Sequence, residues 1–92
     1  MNETLLLEIA RTAIKSKFDK DVKVKRTELL DEFPFLNEQS ACFVTLTLNE
    51  KLRGCIGSLQ AHRSLIDDLI HNSIAAAFSD PRFSPLSFEE FE

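Results

Sequence analysis

The sequence predicts an α+β domain in which an antiparallel β-hairpin packs against two main helices. Apolar and polar residues alternate over 41–48, and a second short run follows at 51–56, a pattern typical of two strands joined by a tight turn. Apolar residues recur every three or four positions over 5–18 and 64–78, which indicates amphipathic helices. Because 92 residues suffice for one small domain, we predict a single unit over residues 1–92.

The first predicted helix, over 5–18, has Asn2 or Thr4 as its candidate N-cap. The segment that follows, 19–40, is less regular, and we expect one helical turn near 27–31 within it. Pro34 ends any helix before it, because proline lacks the backbone N–H that a helix interior requires.

The length of the turn at 49–50 decides which hairpin side chains share a face. A two-residue turn places Cys55 opposite Val44 and sets Arg53 among aliphatic neighbours. A three-residue loop places Cys55 and Arg53 on the face of Thr45. We predict the three-residue loop, since a charge beside a polar residue costs far less than one among aliphatic side chains. A bulge at Gly54 would alter this register.

The second helix is the clearest element, because Ser64 and Asp67 form a capping box at its start. Its long apolar stripe predicts that it packs on the hairpin, and Pro81 prevents it from continuing. A second capping box at 87–90 predicts a short terminal turn. Two strands alone are marginal, so we expect an incomplete half of a larger α+β domain whose sheet has open edges.

Composition excludes several functional classes. A net charge of −4 argues against nucleic acid as a general partner, and the basic cluster at 20–26 is more typical of a solvated loop. No apolar run is long enough to span a membrane, and the first ten residues lack the basic region of a signal peptide. Two cysteines thirteen positions apart fit neither a zinc site nor a disulfide framework. We therefore expect a reduced cytoplasmic protein and predict no metal and no cofactor.

The segment Leu52-Arg53-Gly54-Cys55-Ile56-Gly57 holds both glycines of the chain and one of its two cysteines. Residues two apart on a strand share a face, so Arg53 can lie beside Cys55 and favour the nucleophilic thiolate. Gly54 and Gly57 would let a ligand or another backbone approach closely. The alternative is structural, because a strand cysteine is usually a small buried apolar residue and glycine often marks a bulge.

Other polar residues give weaker signals. His62 and His71 are the only histidines, and the sequence places neither beside Cys55 as the base that a catalytic thiol normally needs. Asp80 and Arg82 follow the second helix, where Arg82 is a candidate second donor for an anionic group and Asp80 a candidate partner for it. Cys42 is interpreted as a packing residue.

The segment 52–57, followed by Ser79-Asp80-Pro81-Arg82-Phe83-Ser84-Pro85-Leu86, resembles the AMMECR domain family. The opening helix and the strand Phe43-Val44-Thr45-Leu46 extend this resemblance over nearly the whole chain. Members often have glycine where Glu50 stands, and the family's domain is about twice as long, so the chain resembles its N-terminal half. The resemblance implies an α+β fold around an antiparallel sheet and a cysteine suspected as nucleophile. An association of such domains with Memo-like and radical SAM proteins hints at a modification pathway, whereas the family's activity is not established.

Two functional hypotheses follow. In the first, the chain is an enzyme or enzyme subunit in which Cys55 is the nucleophile, Arg53 stabilises its thiolate and Arg82, with Asp80, orients an anionic substrate. In the second, it is a non-catalytic binding module in which Cys55 is structural. The partner is then an unknown small-molecule or macromolecular substrate, together with the remaining half of the domain or a second copy at the open sheet edges.

Overall fold

A computed structural model describes the backbone of residues 3–91 and the side chains of residues 4–91. It confirms the predicted α+β class. The elements in chain order are α1 (Glu3–Lys15), α2 (Arg26–Glu32), a 3₁₀ helix (Pro34–Asn37), β1 (Phe43–Leu48), β2 (Lys51–Gly57), α3 (Leu65–Phe78) and α4 (Phe88–Phe91). Helices α1 and α3 are the two predicted main helices, and α2 occupies the segment where we expected one turn.

The ends of the helices follow local capping chemistry. Helix α1 begins at Glu3, so Thr4 lies inside its first turn, while Asn2 lies outside the described residues. At the start of α3, the Ser64 hydroxyl accepts a hydrogen bond from the backbone N–H of Asp67 at 3.4 Å, as the capping box predicts.

The core lies between α1, α3 and the inner face of the hairpin, where α3 contacts both strands. Its buried residues are Ile9, Ala10, Leu36, Val44, Ile66, Leu69 and Ala76. Beyond the end of α1, the ring of Phe18 packs edge to face on Phe78, with centroids 5.5 Å apart. Phe18 also contacts the rings of Phe88 and Phe91, so α4 is held against the helical layer by aromatic packing.

The prediction of a three-residue loop in the hairpin is wrong. Leu48 pairs directly with Lys51, so the turn contains only Asn49 and Glu50. Both adopt left-handed backbone angles, with φ of 53° and 68°. Two such residues are what a two-residue hairpin turn with the twist of the flanking strands requires. The turn therefore forms although a glutamate occupies a position that favours glycine.

A bulge at Arg53 restores the register that the longer loop was expected to produce. The residues on either side of Arg53 pair with Leu46 and Thr47, so Arg53 itself is the extra residue of β2. Cys55 consequently pairs with Thr45, as predicted. The prediction that Cys55 shares the face of Thr45 is thus confirmed, and its cause is the bulge rather than the turn.

Within residues 3–91, no helix combines the length and the apolar character that crossing a bilayer demands.

Candidate functional site

Asp80 joins Cys55 to Arg82. The Asp80 carboxylate is 4% exposed, and its Oδ2 accepts hydrogen bonds from the backbone N–H of Cys55 at 3.0 Å and from Nη2 of Arg82 at 2.7 Å. Its Oδ1 accepts from the backbone N–H and from Nε of Arg82. These bonds, led by those from the Arg82 side chain, hold the pKa of Asp80 well below its ordinary value. Asp80 therefore stays ionised and fixes Arg82 relative to the edge of β2.

The thiol of Cys55 lies on the outer face of the hairpin. Its sulfur is 3.4 Å from the hydroxyl of the exposed Thr45, and Cys55 is partly buried. The side chain of Arg82 is 56% exposed, so an anion in solution has access to it. The pKa of Arg82 is raised, chiefly by its hydrogen bond to Asp80 and then by the charge of that carboxylate. The structure thus brings a thiol, a hydroxyl and an accessible guanidinium together.

The side chain of Arg53 binds Glu90 and Ser84. Its Nε and Nη2 donate to the two carboxylate oxygens of Glu90 at 2.8 and 2.9 Å, and Nη2 also donates to the carbonyl oxygen of Ser84. Its guanidinium lies over the ring of Phe83, 5.7 Å from the centroid. The ion pair lowers the pKa of Glu90 to about 2. Within the described part of the chain, no hydrogen bond joins Arg53 to Cys55, and its role at the thiol stays a prediction.

The two glycines of the hexapeptide have different neighbours. A Cβ on Gly54 would collide with the carbonyl oxygen of Ala76, so glycine lets β2 approach the backbone of α3. A Cβ on Gly57 would collide with the ring of Phe43, which lies over it. Protein atoms already fill both positions, and the predicted ligand contacts of Gly54 and Gly57 stay predictions.

The two histidines lie in a recess at the open end of the hairpin, whose wall includes Ile56 and Gly57. His62 and His71 line this recess together with Arg63 and Asn72, and Cys55 is not part of its wall. The ring of His62 accepts a hydrogen bond from Nε of Arg63 at 3.0 Å. Among the described residues, no histidine contacts the thiol, so the structure places no imidazole base beside it.

A buried polar cluster behind the hairpin was not predicted. Asp68, which is 1% exposed, accepts hydrogen bonds from the backbone N–H of Cys42 at 2.9 Å and from the hydroxyl of Ser58 at 2.7 Å. Asn72 donates to Asp68 and to the carbonyl oxygen of Cys42. Arg63 completes the cluster through an ion pair with Asp68 at 3.2 Å. The cluster fastens the open end of the hairpin to α3.

This cluster acts on the thiol of Cys42. Burial, followed by the hydrogen bond to Asp68, raises the pKa of Cys42 from 9.0 to about 11. Cys42 is therefore protonated near neutral pH, which agrees with its predicted packing role. The spacing of Asp68 and Asn72, four positions apart on a helix, was the signal available in the sequence, because such residues share one helical face.

Within residues 3–91, no three His, Cys, Asp or Glu side chains cluster in a way that could hold a metal ion. The site offers a thiol beside a fixed guanidinium. The thiol can attack an electrophile, and the guanidinium can bind an anionic group of the same molecule.

Comparison with known proteins places this chain in a wider group. The sequence profile of the AMMECR1 family matches residues 7–92. A protein of Sulfolobus acidocaldarius is 44% identical over 91 residues, which cover 92% of this chain and 38% of that protein. A protein of Methanothermobacter thermautotrophicus is 40% identical over 88 residues, covering 95% of this chain and 44% of the relative.

A solved structure gives the same result for the fold. The crystal structure of an uncharacterised protein from Pyrococcus horikoshii superposes with a TM-score of 0.81 at 33% identity. The match covers 94% of this chain and 44% of the Pyrococcus chain. The chain thus spans about two fifths of the length of the relatives that it matches.

Proposed function

The chain belongs to the AMMECR1 family, and from that premise we propose that it carries the thiol site of a cytoplasmic enzyme or enzyme subunit. In this proposal the Cys55 thiol loses its proton to solvent and its sulfur attacks an electrophilic atom of the substrate, from which a leaving group departs with the bonding electron pair. Arg82 orients an anionic group of the substrate, and Asp80 positions both of them. The reaction belongs to a modification pathway.

The observation that carries the proposal is the shared carboxylate oxygen. Oδ2 of Asp80 binds the backbone of Cys55 and the guanidinium of Arg82 at 3.0 and 2.7 Å. A bidentate guanidinium held in this way is pre-oriented for a second anion, because more than half of the Arg82 side chain is exposed. A thiolate that forms beside it gains favourable electrostatic interaction.

Arg53 and Gly54 are positioning residues in the proposal. Arg53, through Glu90, ties α4 to β2, and Gly54 lets β2 lie directly on α3. Both contacts fix the strand that carries Cys55. The loss of either contact would displace the thiol relative to Arg82.

The test compares two alkylating reagents of similar size and different charge. In a Cys42→Ala background, the alkylation rates of Cys55 are measured with anionic iodoacetate and with neutral iodoacetamide, and each is divided by the rate for free cysteine. The ratio of the normalised iodoacetate rate to the normalised iodoacetamide rate should be severalfold above one in the Cys42→Ala chain. It should fall towards one when Arg82→Gln is added, because that change removes the accessible charge.

Arg26→Gln is the matched control, since Arg26 is ion-paired with Asp67 at 2.7 Å much as Arg82 is with Asp80, with a comparable exposed fraction. It should leave the ratio unchanged. A Cys55 that is not alkylated, or a rate ratio that is the same with and without Arg82→Gln, would contradict the proposal. A rise of the salt concentration should weaken the preference for iodoacetate, because exposed charges are screened.

A specific observation favours a second candidate, a binding module without catalysis. In the described part of the chain no histidine contacts Cys55, whereas catalytic thiols usually have a positioned base. In this case the outer face of the hairpin binds an anionic ligand and the thiol is a passive contact. Ligand binding that survives in Cys55→Ser while alkylation is slow would favour this alternative.

The proposed partners include a strand that completes the sheet. β1 pairs only with β2 among residues 3–91, so its other edge presents unpaired backbone groups. The relatives are more than twice as long as their matched segments, which supports a strand from the remaining part of a longer chain. A second copy of the chain is the other source, and sedimentation of the 92-residue chain over a range of concentrations separates the two.

A further inference from the structure

We propose that Phe43 is a substrate-positioning residue, and that with Arg82 it selects an anionic ligand carrying a planar aromatic ring. This inference rests on the proposed function, because it names the substrate class of the site at Cys55. It is argued from the outer strand face, which we define as Phe43, Thr45, Cys55 and Gly57.

The pairing of the hairpin places these four residues in two adjacent rows. Phe43 is opposite Gly57, and Thr45 is opposite Cys55. Directly opposed Cβ atoms lie about 4.5–5.5 Å apart, and successive rows on one face are about 6.5 Å apart. A ligand of the size of a single aromatic ring can therefore touch Phe43 while its substituent reaches the row of Cys55.

The ring of Phe43 packs on the backbone of Gly57. A Cβ on Gly57 would collide with the Cγ, Cδ2 and Cε2 atoms of this ring, so the ring lies over the glycine backbone. Gly57 does not have a positive φ, and its backbone therefore does not require glycine. The missing side chain at position 57 is explained by the ring that occupies its place.

Although it packs on Gly57, Phe43 is 63% exposed. An apolar ring gains little from burial at such an exposure, and the glycine beneath it weakens the strand. Both features are accounted for if a second aromatic group stacks on the ring, since such pairs add affinity beyond their buried area.

Charge identifies the rest of the occupant. Arg82 is an exposed cation that Asp80 holds near the row of Cys55, since the same carboxylate binds the backbone N–H of Cys55, and its guanidinium lies over the ring of Phe83 at 5.4 Å. A second copy of the chain would bring a net charge of −4 against another of −4, which disfavours self-association at this face. A small aromatic carboxylate satisfies both the ring and the guanidinium.

The probe is benzoate, which is added to the ¹⁵N-labelled 92-residue chain while the backbone amide shifts are followed. Cyclohexanecarboxylate keeps the charge and loses the planar ring, and benzamide keeps the ring and loses the charge. We expect saturable shifts at the outer strand face for benzoate, with binding about two- to tenfold weaker for either analogue.

Phe43→Leu and Arg82→Gln should each weaken benzoate binding by a similar factor. Leu52→Ala is the matched control, because Leu52 is an exposed apolar side chain of the same hairpin, at 44%, near the turn. Dispersed amide spectra of all variants confirm that they are folded. Benzoate that binds no better than cyclohexanecarboxylate, or shifts that persist in Phe43→Leu, would overturn the inference.

The outcomes separate this inference from the proposed function. Benzoate binding that persists in Cys55→Ser, together with an inert Cys55, supports the ligand class and rejects the thiol chemistry. A reactive Cys55 without preference for benzoate rejects the ligand class alone. Self-association of the chain that disappears in Phe43→Leu means that a second copy covers the face, and it also overturns the inference.

Discussion

Cys42 of the folded chain should react slowly with thiol reagents, because burial and then Asp68 oppose ionisation of its thiol. The pKa of Cys42 is raised from 9.0 to about 11. Near pH 8, about 10% of a thiol with a pKa of 9.0 is ionised, compared with about 0.1% of a thiol with a pKa of about 11. Alkylation of Cys42 should therefore be about 100-fold slower than that of an unperturbed thiol. Its rate should then rise about tenfold for each pH unit until the pH approaches 11.

The assay is peptide mass spectrometry of the wild-type chain after timed exposure to iodoacetamide. Asp68→Asn removes the charge that opposes ionisation of Cys42, so this variant should react faster at a given pH, with an earlier midpoint in its rate profile. Asp67→Asn is the matched control, because its carboxylate pairs with Arg26 instead. Equal rates for Cys42 in the folded and unfolded chain would refute the reasoning.

Three further predictions concern stability, measured by urea unfolding. Glu50→Gly should raise the free energy of unfolding by about 1 kcal/mol, because Glu50 holds φ at 68°; no gain would mean that the turn differs. Ser73→Ala should also stabilise the chain by up to about 1 kcal/mol, since the Ser73 hydroxyl is buried without a hydrogen-bond partner among the described residues; a loss of stability would reveal a bond that it makes. The pKa of Glu90 falls from 4.5 to about 2 on pairing with Arg53, so its contribution to stability is present above pH 4.5 and is lost as the pH falls towards 2. Glu90→Gln should flatten that part of the pH profile, and an unchanged profile would contradict the ion pair.

The elements of this fold were predictable because each leaves a local pattern in the sequence. The stripes of α1 and α3 and the alternation in β1 follow from which residues face the core. The hairpin register was obtained in spite of an incorrect turn. Periodicity identifies the faces that match, whereas it does not show whether the extra residue lies in the turn or, as at Arg53, in the strand.

The contacts of the site were harder to predict, because they join positions far apart in the chain. Arg53 was placed on the correct strand, and its partner Glu90 lies 37 positions away, where the sequence indicated only a capping box. The bond from Cys55 to Asp80 spans 25 positions. Spacing within a helix or strand carries no information on such pairs, so the sequence identified the residues and the structure supplied their partners.

The packing of Phe43 on Gly57 was likewise not predictable from the sequence. A glycine beside a cysteine suggested room for a ligand, whereas the ring of Phe43 fills that room and itself becomes the exposed surface. The pairing of Phe43 with Gly57 depends on the bulge, which the alternation pattern does not reveal.

The central claim is that the Cys55 thiol of the folded protein is accessible and nucleophilic. The most direct measurement is its rate of alkylation by iodoacetamide in the Cys42→Ala chain, folded in buffer and unfolded in concentrated urea, at one pH. The account predicts that Cys55 reacts at least as fast in the folded chain as in the unfolded one, because Arg82 lies beside it. A folded-state rate many times slower would show that the sulfur is sealed by its surroundings, and would contradict the account.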